Sequence, residues 1–167
     1  FEVKDLDQEG TLVLGEDYVM SPKDLCSIEF IDLIIEAGVD ALKIEGRKRS
    51  PEYIEKVVSS YRKAIDYYFE NKLSYELKQE LKAELKKVYN RGFSTGFYFG
   101  KPSTDDFANI YGSAATTKKV YVGKGMHYFP KSSIAEFKIE AYDIKKGDKI
   151  LITGPSTGAQ ELILEDF

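Results

Sequence analysis

The chain has 167 residues, 43% of them hydrophobic, which is enough to bury a core in one domain or two small ones. With 24 basic against 28 acidic side chains the net charge is -4, so there is no global pull toward phosphate backbones and a nucleic-acid site would have to be local. One cysteine excludes an internal disulfide and no apolar run approaches the roughly 20 residues that cross a bilayer, so a cytoplasmic setting without a membrane partner is expected.

The opening stretch is acidic and polar and begins on Phe1, which reads as a cut inside a longer protein. Residues 18 to 69 read as helix, strand, helix. After Ser21-Pro22 the apolar positions Leu25, Ile28, Ile31 and Ile35 recur at helical spacing, and Ala37-Gly38 supplies a stop. Residues 39 to 46 are too short for a helix and have the length of a strand. Ser50-Pro51-Glu52 then opens a second helix, with Ser as N-cap and Pro in the first helical position, running to about Phe69 on a stripe of Ile54, Val57, Val58, Tyr61, Ile65 and Tyr68. This is the αβα pattern of a β/α barrel or doubly wound sheet, and one such unit cannot close a barrel of about 250 residues.

Residues 73 to 91 predict a docking helix with Leu77, Leu81, Leu85 and Val88 on one side. Past Arg91, glycines punctuate an irregular connector carrying Phe93, Phe97, Tyr98, Phe99, Phe107 and Tyr111; these could stack bases, but without interleaved Lys and Arg core packing is favoured. From Lys118 the pattern is β: a strand starting at Val120 to Val122, alternation of Ala135, Phe137 and Ile139 with Glu136, Lys138 and Glu140, then Lys149 to Thr153 and Gln160 to Glu165. Four short strands suggest a small barrel or sandwich without obviously closing one. His127, beside Tyr128, Phe129 and Pro130 in a turn, reads as structural.

Two clusters carry chemistry. Lys43 and Glu45 share one face of the expected strand, with Glu45 at its C-terminal end, where β/α barrels place catalytic groups. They are either a structural ion pair or a general acid/base, Glu45, with a charge stabiliser, Lys43. Arg47, Lys48 and Arg49, just before a helix N-terminus, are either a substrate- or anion-binding site or a solvated turn. Cys26 reads first as a packed small hydrophobe, because the lone His127 is distant and offers no Cys-His dyad; the alternatives are a nucleophile or one ligand of a metal or iron–sulfur site.

Met20 to Cys26, Glu36 to Arg47, Ser50-Pro51-Glu52-Tyr53 and Tyr61 to Asp66 together resemble the signature stretch of the U32 peptidase family, and Asn90 to Phe97 resembles its downstream segment. The β region from Lys118 is similar to the translation-factor-like barrel of longer members. The resemblance implies an α+β chain: residues 1–72 as the C-terminal part of a β/α catalytic barrel, 73–117 as docking helix and aromatic connector, and 118–167 as an accessory antiparallel β-barrel for substrate positioning or interaction. Members of the family are described as proteases, some as collagenases; relatives are linked to RNA base hydroxylation and to quinone biosynthesis with cysteine-bound iron–sulfur clusters. A protein or peptide substrate is therefore implied, with RNA as the alternative. Lys43, Glu45 and Arg47 match the family motif at the barrel mouth, and Cys26 matches a cysteine that ligates a cluster in some relatives. One departure is Lys48, where the motif usually has Met. A fraction of a barrel is expected to be inactive alone, and its exposed edge predicts a homo-oligomer.

Overall fold

A computed structural model of the protein describes residues 2–4, 11–13 and 21–167. Met20, the first residue of the motif that runs to Cys26, lies outside them. The chain mixes helix and sheet and divides into two compact units, Phe1–Thr117 and Lys118–Phe167.

In the first unit, β1 (Glu2–Lys4) pairs antiparallel with β2 (Thr11–Val13). The helix expected after Pro22 begins later. Asp24–Leu25 is instead a short strand, β3, running parallel to β4 (Phe93–Ser94). A 3-10 turn over Ile28–Phe30 then leads into α1 (Ile31–Glu36). The apolar spacing is correct for burial, since Ile28 and Ile31 are fully buried and Ile34 nearly so, yet Leu25 is 59% exposed. Long-range hydrogen bonds to the 90–94 segment outweigh the helical periodicity there. Gly38, at φ +78, ends α1 in the left-handed conformation expected of the Ala37-Gly38 stop.

Helix α2 (Pro51–Phe69) has the start and end the sequence predicts, with Ser50 as N-cap and Pro51 in the first turn. Its buried face differs from the predicted stripe: Val57, Ser60 and Ala64 face the core with Tyr53, Tyr61 and Ile65 beside them, while Ile54 and Val58 are 43% and 45% exposed. Small residues at Ser60 and Ala64 suit a face pressed against neighbouring helices. Helix α3 (Tyr75–Lys87) is shorter than the predicted 73 to 91; the Ser74 hydroxyl caps it by accepting from the Leu77 N–H at 3.2 Å. It buries Leu81 and Leu85 in the core shared with α2 and the Ile28–Phe30 turn. Its polar flank is tied down by Lys78 to Asp32 at 2.9 Å, Lys56 to Glu84 at 3.1 Å, and an ion pair between Lys82 and Glu29. Gln79 and Lys82 together hold the Glu29 carboxyl below its ordinary range.

Residues 39 to 46 form no strand ladder among the described residues. The two-residue alternation survives all the same: Leu42 and Ile44 pack against the core, whereas Ala41, Lys43 and Glu45 are exposed. A strand needs a hydrogen-bonded neighbour as well as an alternating face, and none of the described strands lies beside this segment. The connector aromatics also depart from the expected core packing. Phe93 reaches the core, but Phe97, Tyr98 and Phe99 are 57 to 78% exposed.

The second unit is two antiparallel hairpins. β5 (Gly123–Phe129) pairs with β6 (Ile134–Ile139), with a bulge between Gly125 and His127, and β7 (Lys149–Gly154) pairs with β8 (Gly158–Ile163). His127 therefore sits on a strand, its ring edge-on to Phe129, and not in the expected turn. Val120 to Val122 precede β5, and the Val122 carbonyl accepts from the Glu140 and Ala141 N–H groups. No sheet among the described residues is closed; each has two strands.

Candidate functional site

Stretches that lie far apart in sequence meet at one junction. β3 and β4 place Asp24 opposite Phe93 and Leu25 opposite Ser94. Around them the Asp24 N–H donates to the Gly92 carbonyl at 3.0 Å, Cys26 N–H to Ser94 at 3.0 Å, and Lys23 N–H to Asp106 at 2.8 Å. Arg91 closes the junction: its Nη2 donates to Asp24 Oδ1 at 3.1 Å, its Nη1 to the Ser21 hydroxyl at 3.2 Å, and its backbone N–H to Asp24 Oδ2 at 3.0 Å. Gly92 is required here. Its φ is +85, and a Cβ would stand 3.3 Å from the Lys23 side chain.

Beside the junction opens a cleft of about 640 Å³ lined by Pro22, Leu25, Phe97, Tyr98, Pro102 and Phe107, with Lys23, Ser94 and Asp106 as its polar members. Those polar groups are already engaged. Lys23 Nζ donates to the Asp105 carbonyl, Ser94 Oγ donates to Asp106 Oδ1 at 2.6 Å, and Asp106 Oδ2 accepts from the Ser103 N–H at 2.8 Å. The Ser94 hydrogen bond, with that of Ser103, holds the Asp106 carboxyl below its usual range. What the cleft presents is apolar and aromatic surface. The rings of Tyr98 and Phe99 are steadied by Phe30, whose centroid lies 5.0 and 4.9 Å from theirs.

The segment carrying Lys43, Glu45 and Arg47 is exposed at all three. Lys43 and Glu45 do not form an ion pair with each other. Glu45 Oε1 instead accepts the Arg47 backbone N–H at 2.6 Å, and the Arg49 N–H donates back to the Gly46 carbonyl at 2.9 Å, making a tight turn in which Lys48 takes φ +59. The three basic residues are not equivalent. Arg47 and Lys48 face solvent, whereas the half-buried Arg49 guanidinium lies 4.0 Å from the centroid of Tyr89 and 5.4 Å from that of Tyr53. Burial pushes the Tyr53 hydroxyl up.

Cys26 is buried, 7% exposed, in the core cluster with Ile28 and Ile31. Its sulfur is 4.0 Å from the Tyr61 hydroxyl, which also accepts from the Ser27 N–H at 2.9 Å and lies 3.2 Å from Ser27 Oγ. Desolvation raises the thiol above its ordinary value, favouring S–H over the thiolate that a metal or a nucleophilic role requires. An iron–sulfur cluster is held by several thiolates. This chain has one cysteine, and among the described residues no three His, Cys, Asp or Glu side chains gather as metal ligands. The donor set of this chain does not by itself fit a cluster.

Sequence reasoning gave no role to Asp24, Tyr89, Arg91 or Asp106. Asp24 and Arg91 are 67 positions apart, and nothing local marks one as the partner of the other. Among the described residues no helix is long and apolar enough to cross a membrane.

Residues 1–107 match the family model described as peptidase family U32. The chain is 44% identical over 158 residues to a collagenase of Porphyromonas gingivalis, covering 95% of this chain and 38% of that protein. It is 39% identical to an uncharacterized protease of Methanocaldococcus jannaschii, covering 95% of this chain and 39% of that one. It is 37% identical to the tRNA hydroxylation protein P1 of Bacillus subtilis, over 83% of this chain and 32% of the relative. The chain thus spans 32 to 39% of the length of these relatives. No solved structure matches it.

Proposed function

The chain belongs to peptidase family U32, and from that premise we propose that it is the C-terminal part of a collagenase-like hydrolase acting on a protein or peptide substrate. The observation that carries this reading is the 44% identity to a protein named collagenase, which runs through both compact units. In this reading residues 1–72 end a β/α catalytic barrel, 73–117 dock against it, and 118–167 are an accessory translation-factor-like β-barrel. The parallel pairing of β3 with β4 and the in-out alternation of residues 41 to 45 support the first part.

Chemically, Glu45 is the general acid/base, its exposed carboxylate fixed by the Arg47 N–H and able to take a proton from water as it attacks a peptide carbonyl. Lys43, exposed on the same face, stabilises the oxyanion that develops, and the exposed Arg47 and Lys48 meet anionic groups of the substrate. The apolar cleft between Pro22 and Phe107 receives substrate side chains. The test is hydrolysis of gelatin and short peptides by the purified full-length protein. Removing a general base costs about 10²–10⁴-fold, so Glu45→Gln should lower kcat within that range; full activity in the variant would remove Glu45 from the mechanism.

A second reading is favoured by the match to a tRNA hydroxylation protein over 83% of the chain. There Arg47 and Lys48 would contact phosphate, and the substrate would be RNA. A full-length protein that cleaves no peptide, together with altered tRNA or rRNA masses in a deletion strain, would replace the first reading with this one.

A further inference from the structure

We propose that Arg49 is a positioning residue for Glu45, and that only Arg47 and Lys48 of the basic trio are placed to meet substrate. The inference rests on the reading of Glu45 as the general acid/base. Four observations carry it. The Arg49 guanidinium is half-buried and lies 4.0 Å from the ring centroid of Tyr89, with Tyr53 on α2 at 5.4 Å. Its backbone N–H closes the turn onto the Gly46 carbonyl at 2.9 Å. Inside that turn Lys48 holds a left-handed φ of +59, a conformation that side chains other than glycine adopt only when their surroundings enforce it. The same turn presents the Arg47 N–H to Glu45 Oε1 at 2.6 Å.

The physical chain is short. A guanidinium is planar and more weakly hydrated than an ammonium, so it is the better partner for a tyrosine ring. Tyr89 follows α3 and Tyr53 belongs to the first turn of α2, so the stack ties the exposed segment 43–47 to two elements packed on the core. With the stack lost, the left-handed turn keeps only its own backbone bond and the packing at Gly46, and the carboxylate's donor is held less firmly. Gly46 contributes on the other side, where the Ile54 side chain packs so closely that a Cβ would meet it at 3.3 Å.

The experiment uses the full-length protein with Arg49→Ala, Arg49→Lys, Tyr89→Leu and Tyr89→Phe. Two readouts are taken: amide hydrogen exchange at positions 47 and 49, and kcat and KM on gelatin-derived peptides. Arg49→Ala and Tyr89→Leu are expected to speed exchange at both amides by about tenfold, within the range of a lost cation–π stack. They should lower kcat by roughly tenfold with KM held within about twofold, since misplacing a catalytic group costs rate and not binding. Tyr89→Phe keeps the ring face and should restore both readouts, and Arg49→Lys should lie between. Unchanged exchange in Arg49→Ala, or a rise in KM at constant kcat with Tyr89→Leu behaving as wild type, would make Arg49 an anion ligand and overturn the proposal. If Arg49→Ala also loosens α2, Tyr89→Leu set against Tyr89→Phe decides. A wild-type protein without peptidase activity would remove the functional reading, while the exchange data would still decide whether Arg49 holds the turn.

Discussion

Tyr61 offers the sharpest quantitative test of the core. Its hydroxyl lies 2.9 Å from the Ser27 backbone nitrogen and 3.2 Å from Ser27 Oγ, in a partly buried setting where water is a poor substitute. Tyr61→Phe removes that partner and leaves the Ser27 N–H unsatisfied, which costs ~1–2 kcal/mol near neutral pH. The pH dependence is more diagnostic. Burial, then the neighbouring Cys26, push the Tyr61 hydroxyl from 10.0 to about 12. A proton held more tightly in the folded state gives stability that is fully present below the unfolded value and is lost as pH rises through the folded one. The window is therefore from about 10 to about 12, and the loss across it is on the order of 2–3 kcal/mol. The phenylalanine variant has no such proton. Its deficit should shrink through this window and vanish or reverse at the top, while contributions from groups that do not touch the Tyr61 hydroxyl cancel. Urea unfolding followed by far-ultraviolet circular dichroism, at several pH values from neutral to strongly alkaline, measures the difference. A deficit that stays constant from about pH 9 to about pH 12 would refute the reasoning.

Asp24→Ala should destabilise the first unit by ~2–4 kcal/mol, because both carboxylate oxygens accept from Arg91 and the guanidinium would be left partly buried without its partner. A double-mutant cycle with Arg91→Ala should recover a coupling of about 1 kcal/mol or more; strict additivity would count against the pair. Leu81→Ala, at a position 4% exposed between the helices, should cost ~2–4 kcal/mol in the same urea assay. Gly92→Ala should cost ~1–2 kcal/mol from its positive φ and the crowding of Lys23. Phe97→Ala, 78% exposed at the cleft, should leave stability within about 0.5 kcal/mol and raise KM for apolar peptides; an unchanged KM would take the cleft out of substrate binding.

Some of this was legible along the chain. Ser50-Pro51 marks the start of α2, and Gly38 marks the end of α1, because caps and left-handed stops are written in consecutive residues. The alternation in Ala135 to Glu140 marks β6 for the same reason. On α2 the expected stripe is partly right: Val57, Tyr61 and Ile65 meet the core, but Ile54 and Val58 are exposed because the elements that pack on the helix choose the face containing Ser60 and Ala64. In the site, the exposure of Lys43 and Glu45 on one face followed from alternation, whereas their lack of mutual pairing did not.

By itself the sequence determined α2, the end of α1, β6 and the family, since these depend on residue order over short windows and on motifs long enough to be specific. Tertiary structure alone decided that Asp24–Leu25 is a strand and not the start of a helix, that Arg49 stacks on Tyr89 while Arg47 and Lys48 meet solvent, and that Cys26 is buried beside Tyr61. Each of these depends on a partner tens of residues away. A pairing energy of that kind is fixed by which surfaces meet when the chain closes, and no local pattern encodes it.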